Sequence, residues 1–157
     1  MSKSLKRVRA ALSQAGLDAL PIEMAHDTKT AEQAARAANC QIDQIAKSVV
    51  FRSEVSDKIV LFVTAGGNQV CMDRASALTG EPLGKADAEL IRSQTGFAIG
   101  GVSPIGHLSP PSAFFDPRLL EFNTVWAAAG TPRHIFEIAP QLLMDLSGAK
   151  LGSFTVE

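Results

Sequence analysis

Cysteine is scarce in this 157-residue chain: Cys40 and Cys71 are the only two, and no CxxC pair occurs. A disulfide framework or a zinc site built on cysteine is therefore not expected, and a reducing cytoplasmic setting is. Long apolar runs are missing as well. No stretch approaches the roughly 18 apolar residues of a membrane span, and the N-terminal MSKSLKRVRAAL is charged throughout, unlike a signal peptide. Neither sign of charge is in excess, because 15 Lys and Arg stand against 16 Asp and Glu. A general nucleic-acid or membrane coat is not expected, nor is DNA as a partner; only a local basic patch could meet a polyanion. The familiar catalytic templates are also absent: no GxSxG elbow, no HExxH and no Walker loop. His26, His107 and His134 are scattered without metal-ligand spacing, so no metal site is expected, and no motif calls for another cofactor. Gly66-Gly67 lacks the helix pattern that follows a dinucleotide loop and reads as a plain turn.

What is present fits one domain over residues 1–157, with no internal repeat, linker or low-complexity tract. Leu5, Val8, Leu12 and Ala15 recur at helical spacing before Gly16, with Lys3, Lys6, Arg7 and Arg9 on the other face. Thr30 and Gln33 have capping-box form and predict a helix over about 31–46. Ser48–Phe51 and Lys58–Thr64 read as a hairpin, and Gln69–Met72 as a third strand carrying a buried Cys71. Short helices are predicted over 73–79 and from Asp87 to Thr95, then a strand at Phe97–Ile99. Residues 124–129 and 134–138 predict a second hairpin. Pro140 opens a last helix with Leu142, Leu143 and Leu146 facing inward and Gly148 at its end. Short strands interspersed with helices argue for an α+β fold with a mixed, mostly antiparallel sheet curled toward a barrel and helices around it.

Two features could carry chemistry. Lys47 sits where a helical pattern gives way to an apolar strand: either a charge that suits a helix C-terminus, or a point charge at a pocket rim, suited to a phosphate or an oxyanion. Gly100-Gly101-Val-Ser103-Pro104-Ile-Gly106 is either a tight loop or a backbone that a ligand can approach closely.

In order along the chain, Ala46-Lys47-Ser48-Val-Val-Phe51, Asp73-Arg74, the GGVSPIG turn and a closing Ala-Gly hairpin resemble the YbaK and prolyl-tRNA editing domain family. The resemblance implies a mixed sheet around an aminoacyl pocket. It also implies hydrolysis of the ester joining a wrong amino acid to tRNA, usually tRNA(Pro), in trans and alongside prolyl-tRNA synthetase. Lys47 would hold the 3′-terminal adenosine and its phosphate. Gly100, Gly101 and Pro104 would place the aminoacyl group and a water through backbone atoms, helped by the substrate's own ribose hydroxyl. An ester is already activated, so positioning can suffice without a nucleophilic triad.

Ser48 and Ser103 are expected to contact substrate. Met24, Thr30 and Phe51 are near enough in the pattern to help exclude proline, and Lys3, Lys6, Arg7 and Arg9 are candidates for tRNA contact. Members acting on cysteinyl-tRNA(Pro) carry a serine and an aspartate where this chain has Ala128 and Ile135. Alanine-specific members carry His-Pro where this chain has Asp116-Pro117. The leading expectation is a deacylase for tRNA(Pro) bearing a small amino acid such as alanine. The alternatives are a Cys-tRNA(Pro) deacylase, a non-catalytic tRNA- or protein-binding relative, and a small-molecule hydrolase using the same cavity.

Overall fold

The computed structural model describes residues 2–17 and 20–157. Helix α1 (Lys3–Gln14) starts where the Ser2 hydroxyl accepts from the Leu5 amide at 3.0 Å and buries Leu5, Val8 and Leu12. Ala15 caps the helix and is exposed rather than part of the buried stripe. Strand β1 (Ile22–Glu23) leads to α2 (Ala31–Ala38), whose capping box between Thr30 and Gln33 forms as the sequence predicts. The helix is half the expected length because Asn39 adopts a left-handed conformation, φ 54°, and ends it. A 3₁₀ turn at Ile42–Gln44 follows, and then β2 (Ile45–Ser53), so Lys47 lies inside a strand and not at a helix end.

β2 forms the expected antiparallel hairpin with β3 (Ile59–Ala65), pairing Lys47 with Thr64 and Val50 with Leu61. Every residue of β3 is buried, which its unbroken apolar run anticipates, because it packs on both faces. Leu61 and Val63 join the main core with Leu5, Val8, Phe97, Phe115 and Phe136. Val60 and Phe62 join a second core, where the Phe62 ring lies 5.0 Å from Phe154 and 5.5 Å from Phe114.

The expected strand at Gln69–Met72 is reduced to a single bridge between Val70 and Thr155. Cys71 is half-buried at the N-cap of α3 (Met72–Thr79). β4 (Leu83–Lys85) and α4 (Ala88–Thr95) follow, the latter capped by Asp87 and ended by Gly96. Phe97–Ile99 is not a strand: Gly96 and Gly100 at its ends have φ of +82° and +89°, which an extended chain does not adopt. β5 (Ser112–Phe115) stands between Pro111 and a 3₁₀ turn opened by Pro117. The second hairpin forms from β6 (Val125–Ala128) and β7 (His134–Ile138). In α5 (Pro140–Ser147) Leu143 is fully buried but Leu142 and Leu146 are 41% and 37% exposed, so the inward face is narrower than expected. β8 (Lys150–Leu151) completes the sheet.

The α+β class and the mixed, mostly antiparallel sheet are as expected. Strand order is β1-β7-β6-β2-β3-β5-β8, with β4 also on β2. β2–β6, β3–β5 and β5–β8 are parallel and the remaining pairs antiparallel. The path ends on β1 and β8 without closing into a barrel.

Candidate active site

One edge of β2 is covered along most of its length by β3. The other edge is divided: β6 pairs only with Ile45 and Ala46, and β4 only with Phe51 to Ser53. Between them, Lys47 to Val50 have no strand neighbour on that side among the described residues. A cavity of about 350 Å³ opens over this gap. Ile45 to Ser48 and Val50 line it from β2, Trp126 to Ala128 from β6, and Ile135 from β7. The remaining wall comes from Thr28–Ala31 with Ala34, and from Ile99, Gly100 and Val102 above Ile91.

Two loops are fastened into this wall. Thr28 donates to the Pro132 carbonyl through both its amide (2.7 Å) and its hydroxyl (3.0 Å), the Met24 amide donates to the Arg133 carbonyl at 2.7 Å, and Asp27 pairs with Arg133 at 3.3 Å. Gly100 lies under the Lys29 side chain, where an added Cβ would sit 3.5 Å from Lys29 Cγ. Gly101 packs on the β6–β7 turn, so a Cβ there would come within 3.3 Å of the Gly130 and Thr131 backbone.

Lys47 Nζ donates to the Gly66 carbonyl at 3.2 Å. Burial pulls its pKa below the ordinary lysine value, while the carboxylates of Glu32, Asp116 and Asp43 act in the opposite direction and favour the ammonium. Gly66 is therefore more than a turn residue. A Cβ there would run into the Ile42 carbonyl, so only glycine lets the chain approach closely enough to present its own carbonyl to Lys47. The same corner is held by Asp43, which accepts from the Gly67 amide at 2.8 Å and from Arg118 Nε at 3.0 Å. Asp116 is buried away from the cavity. Its carboxylate accepts from the Ala65 amide, from Asn68 Nδ2 and from the Arg118 amide, at 2.9–3.0 Å.

Of the residues expected at the site, Lys47, Ser48, Gly100, Ala128 and Ile135 line the cavity, as does Thr30. Ala128 faces it in register with Ile135, whereas Ala129 is wholly buried in the core. Gly101, Ser103 and Pro104 lie behind the wall. Ser103 is fully buried and its hydroxyl accepts from the Ile105 amide at 3.3 Å, which places it away from any substrate in the cavity. Met24 does not reach the cavity, and Phe51 packs in the second core. Lys3, Lys6 and Arg9 are exposed on α1, but Arg7 turns inward. Its guanidinium donates to the carbonyls of Gly96 (2.7 Å) and Gly106 (3.0 Å) and lies 5.0 Å over the Phe97 ring, so it fastens a loop. His26 is exposed, and His134 is engaged with Thr131 Oγ1 at 2.6 Å.

Among the described residues the lining holds hydroxyls and lysines but no histidine, cysteine or carboxylate, so they assemble no nucleophile–base pair there. Lys29 and Trp126 were not anticipated from the sequence. Only the pairing of distant segments brings them beside Lys47, and no local signal marks that pairing.

The family profile of the aminoacyl-tRNA editing domain matches residues 25–146. The chain belongs to that family. It is 32% identical over 148 residues, 94% of each chain, to the uncharacterized protein YwhH of Bacillus subtilis (strain 168). Among solved structures it superposes with a TM-score of 0.91, at 40% identity over 100% of this chain and 99% of the other, on a protein described provisionally as a trans-editing enzyme for prolyl tRNA synthetase. The hypothetical protein APE2540 shares the fold at 22% identity, with a TM-score of 0.86 over 96% of this chain and 99% of its own. The matched region of the editing domain contains every cavity-lining residue named above.

Proposed function

We propose that this editing domain is a deacylase that acts in trans on mischarged aminoacyl-tRNA, preferring tRNA(Pro) that carries a small apolar amino acid such as alanine. The observation that carries the reading is Ser48 Oγ, which is buried in the cavity wall with no hydrogen-bond partner, next to Lys47 and above an apolar floor. A buried hydroxyl without a partner costs stability, and a polar substrate group would supply the missing bond once a small shift of the wall exposed it.

In this reading the Lys47 ammonium meets the terminal phosphate or the developing oxyanion, and the backbone at Gly100 faces the aminoacyl group. Water adds to the ester carbonyl, the carbon–oxygen bond to the ribose breaks, and the ribose oxygen leaves with a proton as the free amino acid departs. Ala128 and Ile135 offer the side chain no polar group, so discrimination rests on size. One methylene is worth only about 1–3 kcal/mol, which predicts graded hydrolysis of neighbouring small residues. The test compares kcat/KM on Ala-, 2-aminobutyryl-, Cys- and Pro-tRNA(Pro). Preference for Ala with rejection of Pro supports the reading; preference for Cys overturns the acyl assignment, and no hydrolysis of any of the four overturns the activity.

A further inference from the structure

His107 lies outside the cavity lining, yet it is tied to the turn that forms the cavity wall. Its Nε2 is 2.6 Å from the Ser103 carbonyl oxygen. A carbonyl only accepts, so Nε2 carries the proton and the tautomer is fixed. The other ring nitrogen, Nδ1, is buried without a partner. An apolar side chain of similar size would fill this space without that cost, so packing alone does not account for an imidazole here.

The ring meets Phe97 edge-on at 5.1 Å. The charged group acting on it is Arg7, whose guanidinium sits over that same Phe97 and holds the Gly96 and Gly106 carbonyls. Burial pushes the imidazole pKa below its ordinary value; the Ser103 bond opposes it and Arg7, the smallest of the three influences, adds to it, so the ring stays a single-proton donor. The segment from Gly96 to Gly106 is thus gripped at three carbonyls: at both ends by Arg7 and at Ser103 by His107.

We propose that His107 is a positioning residue whose Nε2–H fixes the Ser103 carbonyl, and through it the Gly100–Pro104 turn against which the ester and its water are held. The inference deepens the deacylase reading and rests on it for the activity readout, but the placement of the turn can be measured without substrate. Three consequences follow. Nitrogen NMR of the imidazole should show the Nε2–H tautomer. His107→Leu should increase amide exchange at 101–106 and lower kcat by about tenfold or more with KM for Ala-tRNA(Pro) within about twofold, because a misplaced turn costs rate rather than tRNA affinity. His107→Gln, which can place an amide N–H near the position of Nε2, should recover kcat to within about threefold.

An Nδ1–H tautomer, unchanged exchange at 101–106 in His107→Leu, or a wild-type kcat in that variant each overturns the proposal. So does a glutamine variant as slow as the leucine one. If the leucine variant does not fold, the tautomer and the glutamine variant decide. A wild-type protein inactive on every aminoacyl-tRNA, but with the expected tautomer and exchange pattern, would sink the deacylase reading and leave His107's hold on the turn in place.

Discussion

Replacing Lys47 with methionine keeps a side chain of similar length in β2 while removing the charge and the 3.2 Å bond to the Gly66 carbonyl. On stability two effects oppose one another. The lost hydrogen bond costs about 1 kcal/mol net, and relief of a half-buried ammonium returns part of it. The net change should stay within about 1 kcal/mol, small against the roughly 5–15 kcal/mol of a domain. On catalysis nothing compensates, because the cavity's other ammonium, that of Lys29, is half-exposed and leans toward Asp27 at 3.9 Å. Loss of one preorganised charge at a developing oxyanion costs about 10²–10³ in rate, or roughly 3–4 kcal/mol. Single-turnover deacylation of Ala-tRNA(Pro) and a urea melt on the same sample separate the two effects. A kcat and a KM both within about twofold of wild type in a folded variant would refute the role given to Lys47, since no preorganised charge is that dispensable. A rise in KM alone would confine the residue to holding the terminal phosphate.

Gly66→Ala should destabilise the fold by about 1–3 kcal/mol in a urea melt, because the new methyl meets the Ile42 backbone carbonyl and not a movable side chain. Gly100→Ala should slow deacylation far more than Ser103→Ala. Its Cβ finds ordinary contact with Lys29, but φ of +89° strains alanine by about 1–2 kcal/mol and shifts the cavity wall. Ser103 is buried, so a covalent acyl-enzyme on it, seen by mass spectrometry, would refute water attack. Converting Lys3, Lys6 and Arg9 to glutamine should raise KM and lower the salt slope by about 0.7–0.9 per lost phosphate contact; no change in either would place the tRNA elsewhere.

The two hairpins and the Thr30–Gln33 capping box were readable because each is written in contiguous residues. The errors share a cause. Ile42 and Ile45 continue the helical spacing of α2 in sequence, but Asn39 turns left-handed and the chain restarts as a strand, which moved Lys47 from a helix end to a strand edge. Phe97–Ile99 has strand composition, yet the glycines flanking it set the backbone. β5 was hidden by the prolines around it, and β1, β4 and β8 are only two or three residues long. At the site, Lys47 and Gly100 could be named from sequence. The gap in the edge of β2 could not, since it depends on Ile45 pairing with Trp126 about eighty positions away. The unpartnered Ser48 hydroxyl is likewise a property of packing, as any serine in a strand reads the same.

An unpaired strand edge is ordinarily a liability, because its amides and carbonyls invite another chain. Here the gap at Lys47–Val50 becomes a cavity because residues 28–31 and 99–102 are folded over it, and the hold on the first of these loops is a few hydrogen bonds to the β6–β7 turn. On the proposed reading, the far wall, and not the sheet, limits the size of the aminoacyl group. Thr28→Val tests the point, since valine keeps the shape and the amide bond to Pro132 but removes the hydroxyl bond to the same carbonyl. The loss should be about 1 kcal/mol of stability. Amide exchange at 24–30 should rise, and the ratio of Ala- to Pro-tRNA(Pro) hydrolysis should fall as the wall yields to the larger ring. If exchange rises but the ratio holds, the wall is not what excludes proline, and the limit lies in the rigid floor formed by Ala128 and Ile135.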